Sequence, residues 1–132
     1  MKYQEIKAEH EKKMSALLTE CLVFWAFSNQ QFDENKTPLK EGEKYVSIGG
    51  GGYMPKSKVE AFKKGMDELD KWERNEIKRY KQQDEQIKSE LYNHECFYVG
   101  DPSAVYDLLP EYSKERILKV YKGEFKTAVA NL

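Results

Sequence analysis

Lys44-Tyr45-Val46-Ser47-Ile48-Gly49-Gly50-Gly51-Gly52-Tyr53-Met54-Pro55 is the stretch whose reading decides the fold. The residues up to Ile48 are mostly β-branched or aromatic, the types that suit a pleated strand. Four successive glycines cannot hold a helix and hold a strand poorly. They mark a turn, a bulge, or a place where another backbone or a ligand comes close. Tyr53-Met54 then pairs back as a short third strand before Pro55.

Upstream, Cys21-Leu22-Val23-Phe24-Trp25-Ala26-Phe27 is a continuous apolar run, short enough to favour a buried strand over a helix. Ser28 suits an N-cap, with Gln31 completing a capping box and a short helix following through Asn35. Residues 37–42 are loop chemistry, punctuated by Pro38 and Gly42. Before the run, Tyr3, Ile6, His10, Met14, Leu17 and Leu18 recur at helical spacing, predicting a helix from Lys2 to Glu20.

Downstream, Ser57 is placed to cap a helix, with Glu60 three residues on. Val59, Phe62, Met66, Leu69 and Trp72 form its apolar stripe. Beyond Trp72 only Ile77, Tyr80 and Ile87 are large and apolar, and no proline interrupts. One helix from Ser57 to Tyr92 would be about 54 Å long. The alternative is a break near Asn75 or Gln83, giving a helical hairpin. Cys96-Phe97-Tyr98-Val99, closed by Gly100, reads as a last strand. Asp101-Pro102 starts a helix that ends at Pro110. Ser113 caps the final helix, which carries Ile117, Leu118, Val120 and Tyr121. The fold class expected is α+β: a single domain over residues 1–132, with helices packed on a small, mainly antiparallel sheet of three or four strands. One helix is expected to be unusually long.

Charge limits the function. Charged residues make up 34% of the 132, yet the net charge is −1, without the basic excess of a dedicated nucleic-acid binder. Direct nucleic-acid binding is therefore not expected to dominate. The two cysteines, Cys21 and Cys96, fit no disulfide framework and no zinc pattern. Free thiols point to a reducing compartment. The first residues are too polar for a signal peptide, and Cys21–Phe27 is too short to span a bilayer. A cytoplasmic location away from membranes is expected.

The chemistry-bearing motifs are sparse. Gly50 to Ser57 reads G-G-G-Y-M-P-K-S, close to a phosphate-binding loop with Lys56 and Ser57 in place. Pro55, however, occupies the glycine position and has no N–H to donate. His94 and Cys96, with His10 or Cys21, match no metal spacing. Asp67, Glu68, Asp70 and Glu73 read as a solvated face paired with lysines. No catalytic signature is present, so no catalytic residue, metal or cofactor is expected. The densest basic stretch is Lys71, Arg74, Lys78, Arg79 and Lys81, with Trp72 and Tyr80 interleaved. It is either a solvated helix face or a contact surface, since Arg and aromatic residues are enriched at binding hot spots.

Four pieces carry a resemblance: Phe24-Trp25-Ala26-Phe27-Ser28-Asn29-Gln30-Gln31-Phe32; Lys40 to Gly49; Gly51 to Lys56; and Asn93-His94-Glu95-Cys96-Phe97-Tyr98-Val99-Gly100-Asp101. They resemble a family of small, mostly uncharacterised bacterial proteins found around phages and mobile elements. The chain is also similar to small anti-CRISPR proteins, including the type that inhibits the RNA-guided RNase of type VI-B systems. That resemblance implies a non-enzymatic inhibitor that docks on a CRISPR effector, with or without its guide RNA. The expected contact residues are Lys71, Arg74, Lys78, Arg79, Tyr80 and Lys81 on the long helix, and Tyr53 at the glycine hairpin. The rival readings are a nucleic-acid-binding accessory protein and a small nucleotide-binding enzyme.

Overall fold

The computed structural model describes residues 1–132. It divides into two compact units, Gln4–Asn75 and Met1–Tyr3 with Glu76–Leu132. Both are helical, and the first contains the sheet, so the fold is α+β.

In the first unit, α1 (Tyr3–Glu20) is followed by β1 (Phe24–Trp25), α2 (Asn29–Asn35), β2 (Tyr45–Gly49) and β3 (Gly52–Pro55). The long α3 (Val59–Arg79) comes next. The strands form a three-stranded antiparallel sheet in the order β1-β3-β2. Phe24 pairs with Tyr53 and Trp25 with Gly52. The β2–β3 register shifts between Ser47 and Gly49, where a bulge lets the glycine turn close. Gly49, Gly50 and Gly51 all have positive φ (86°, 58° and 81°), a run that only glycine adopts cheaply.

One face of the sheet carries an aromatic cluster. Phe24 stacks on Tyr53 at 5.7 Å, while Phe32 of α2 meets Tyr53 and Tyr45 edge-on at 5.1 and 5.2 Å. These spacings are those of favourable ring pairs. The Ser28 cap of α2 forms as the sequence implies, its Oγ accepting from Gln31 N–H, but Gln31 Oε1 accepts from Phe27 N–H, one residue before the cap, instead of closing the box on Ser28 N–H. Helices α1 and α3 run antiparallel in this unit. Glu73 meets Lys7 and His10, whereas Leu17 lies against Gly65, so close that a Cβ at 65 would stand 2.4 Å from Leu17 Cδ1.

The second unit contains α4 (Gln83–Asn93), the one-turn helices α5 (Cys96–Val99) and α6 (Ser103–Tyr106), and α7 (Lys114–Ala130). Its core joins Ile87, Leu91, Cys96, Phe97, Val105, Leu109, Ile117, Tyr121 and Ala128. Ser113 caps α7 by accepting from Arg116 N–H, and Asp101 Oδ1 accepts from Ser103 N–H at the start of α6.

The structure corrects several expected boundaries. The strand expected over Cys21–Phe27 is reduced to Phe24–Trp25, because a left-handed residue, Leu22, closes α1. Val23 N–H bonds Leu18 C=O and Leu22 N–H bonds Thr19 C=O, the paired bonds of a Schellman stop. Ser57 does not cap α3; it sits inside a 3-10 turn, Lys56–Lys58. Cys96–Val99 is a helical turn, not a strand. Its burial shows why: Cys96 and Phe97 are inside and Tyr98 and Val99 outside, which is not the alternation of a strand. The unusually long helix resolves into two. Helix α3 has 21 residues, only slightly more than the 18 of α1, and the chain breaks at 80–82. There Gln82 N–H reaches Ile77 C=O and Lys81 N–H reaches Lys78 C=O, with Lys81 left-handed at φ 55°. No helix is long and apolar enough to cross a membrane.

Candidate docking surfaces

The chain is dense in charge, but residues 21–32 and 45–55 contain no charged side chain. Folding brings these two stretches together, since β1 pairs with β3 and β3 with β2. An uncharged surface results, centred on the glycine turn. Trp25 and Phe27 stand out from it, 46% and 76% exposed. The glycines seat both rings. A Cβ at Gly51 would lie 2.4 Å from Phe27 Cε1, and one at Gly52 would lie 2.8 Å from Trp25 Cζ3 and from Ile48 Cγ1. Each ring therefore lies against glycine backbone on one side and is open on the other. Ala26 N–H donates to Gly51 C=O at 2.8 Å, and Asn35 Nδ2 donates to Trp25 C=O at 2.8 Å, which caps that edge of the sheet. Exposed aromatics on chain stretches without charged side chains match the composition of a protein interface centre.

Tyr53, expected as a contact at this hairpin, turns to the other face. It is half-buried against Phe24 and Phe32. Trp25 and Phe27 take the exposed places instead. The sequence signal for them was the gap in charge, not the presence of tyrosine.

The basic residues are where a solvated helix would put them. Lys71 and Arg74 are exposed on α3 in the first unit. Lys78 and Arg79 are exposed at the end of α3 in the second, and Lys81 is exposed in the turn that follows. Arg74 Nε reaches Asp70 C=O at 3.4 Å, and Arg79 pairs with Glu76 at 3.7 Å while lying 5.2 Å over the half-buried Tyr80 ring. The spacing of three places Lys71 and Arg74 on one face of α3 in the first unit. Trp72 is engaged elsewhere, with Lys13 Nζ 5.0 Å above its ring.

The motifs suggestive of catalysis are pulled apart. The glycine turn and Lys56-Ser57 lie at opposite ends of β3, separated by roughly 13 Å of strand. One phosphate cannot be wrapped by the first and held by the second. His94 Nε2 lies 3.5 Å from Glu90 Oε2 and so turns towards α4. Cys96 is buried, and burial above all, with Asp101 adding, pushes its thiol pKa up, the opposite of an activated nucleophile. Cys21 is likewise raised by burial, with Lys58 opposing. No group of three or more His, Cys, Asp or Glu side chains is disposed to hold a metal ion.

A family model matches the chain over residues 2–127: DUF7659, described as a family of unknown function. Neither a curated protein nor a solved structure matches the chain. Since the match runs almost the whole length, the protein belongs to the DUF7659 family.

Proposed function

We propose that this protein acts by binding a protein partner through the uncharged aromatic surface of the glycine hairpin, without catalysing a reaction. One observation carries the reading: Trp25 and Phe27 are exposed yet seated on Gly52 and Gly51. Exposed rings normally lose conformational freedom on binding, and rings already held lose less. The exposed cations Lys71, Arg74, Lys78 and Arg79 would act differently, by steering the encounter and setting its salt dependence.

The finer form of the proposal is inhibition of an RNA-guided RNase effector of type VI-B systems. It is supported by the similarity of the chain to small anti-CRISPR proteins and by the stoichiometric docking that suits so small a binder. The test is co-elution on a sizing column with a purified type VI-B effector, with and without guide RNA. A stable complex lost in Trp25→Ser/Phe27→Ser is expected. Absence of a complex in both conditions overturns the effector as the target.

The cation row also favours a second reading, as a nucleic-acid accessory protein. Affinity for RNA falling steeply with salt would support it. The uncharged hairpin would then be a bystander, and the aromatic double variant would bind RNA as the wild type does.

A further inference from the structure

The second unit holds an apolar groove that the hairpin does not use. It has a volume of about 260 Å³ and is lined by Tyr92, Glu95, Phe97, Tyr98, Ala128 and Leu132. Its walls are fixed by rings. Phe97 stacks on Tyr121 at 5.1 Å with the planes 8° apart, and Tyr92 leans on Phe97 at 4.9 Å. The Tyr92 hydroxyl donates to Glu124 Oε1 at 2.9 Å, which sets the ring's position. Ala128, buried in the core, contributes only a methyl group to the lining. At the rim Tyr98 is 74% and the adjoining Val99 64% exposed.

Size and charge narrow the occupant. A dry cavity of about 150 Å³ accepts benzene, while pockets for drug-sized ligands begin near 300 Å³. A groove of about 260 Å³ therefore suits a single large side chain better than a whole cofactor. Glu95 carries the one charged side chain of the lining, is exposed, and makes no ion pair. It is also left-handed, at φ 55°, a conformation that the next turn assigns to Gly100. A carboxylate stands where glycine would be less strained.

We infer that this groove receives an aromatic side chain from a partner protein, with a Lys or Arg beside it in that partner's sequence meeting Glu95. The inference rests on the reading of this chain as a binding protein and adds the chemistry of the partner segment. A nucleic acid fits less well, because Glu95 would repel the phosphates flanking any inserted base. A phospholipid headgroup would find no cation in the lining.

The test is an NMR titration of the intact protein with two capped dipeptides, N-acetyl-Arg-Trp-amide and N-acetyl-Glu-Trp-amide. The expected result is shifts centred on Tyr92, Phe97, Tyr98 and Ala128. The Arg peptide should bind more tightly by up to about fivefold, as an exposed ion pair allows. Glu95→Gln should erase the difference between the peptides. Tyr98→Ala, at an exposed position, should leave the Tm unchanged and weaken both. Shifts elsewhere, no shifts, or a preference that survives Glu95→Gln overturn the inference. A protein that co-elutes with the RNase effector but ignores both dipeptides refutes the groove and leaves the binding role standing. One that takes the Arg peptide but captures no effector supports the groove and refutes that target.

Discussion

Gly51 is the residue on which the hairpin surface depends most. Its φ is +81°, and a Cβ there would meet the rigid Phe27 ring. Gly50 is also left-handed at +58° but faces open space. Gly51→Ala should therefore destabilise the protein by about 1–3 kcal/mol in urea denaturation, and Gly50→Ala by only about 1 kcal/mol. Equal losses would mean that Phe27 is not seated on residue 51. Lys81 poses the opposite case, a side chain in a glycine conformation. Lys81→Gly should stabilise by about 0.5–1 kcal/mol, read as a higher denaturation midpoint at constant slope. Leu22, Lys81 and Glu95, all left-handed without being glycine, also explain where the sequence misled. Glycine or proline would have announced these stops. Leucine, lysine and glutamate do not, so the left-handed stops themselves show only in the folded chain, although the end of α1 at Glu20 followed from its apolar spacing and a break near Gln83 was one of two expectations.

Among the elements, the glycine hairpin and the capped helices were readable because their signals are local. Four glycines allow few conformations, and Ser28 and Ser113 bond the backbone three residues on. Helix α5 was not readable. Four apolar residues between Glu95 and Gly100 fit a strand or a helical turn equally well, and packing of Phe97 against Tyr121 selects the turn. Helix α7 carries Gly123 at an exposed position with open space around it. Gly123→Ala should raise stability by about 0.5–1 kcal/mol, because the helix gains propensity and loses no contact. A fall in Tm would show that the position is occupied. On α3, the charge swap Arg74→Glu/Lys78→Glu/Arg79→Glu should slow association with the partner at low salt and leave the circular dichroism spectrum unchanged. Affinity and association rate equal to the wild type would remove this helix from the interface.

For the whole molecule, pH gives a directional expectation. The pKa of Cys96 is raised above its ordinary 9.0 chiefly by burial, and that of Tyr112 above 10.0 by burial and then by Glu111. A raised pKa means that the folded state holds the proton more tightly. The stabilisation is thus complete below the unfolded values and is lost as pH rises through 9.0 and 10.0 towards the folded ones. The Asp101 carboxyl shifts the other way, lowered from 3.8 by the Ser103 N–H, so its contribution fades as the medium becomes strongly acidic. Thermal melts across pH 7 to 11 should show stability falling from about pH 9 upward. Because Cys21 is raised by burial as well, Cys21→Ala/Cys96→Ala should shift the onset upward, and an unchanged onset in the double variant would mean that the thiols are not the groups responsible.

The candidate surface was only partly legible in the sequence. The turn itself follows from its four glycines, but which rings of the hairpin stand exposed, Trp25 and Phe27 rather than Tyr53, follows from pairing register and was not legible. The most direct test of the binding role is therefore the dissociation rate of the partner complex, measured by surface plasmon resonance for the wild type and for Trp25→Ser/Phe27→Ser. With the type VI-B effector immobilised, a binding role centred on the hairpin predicts a slowly dissociating wild type. The variant should remain folded but leave at least about 30-fold faster, as the loss of 2 kcal/mol or more at a hot spot requires. Identical dissociation of the two proteins would contradict it.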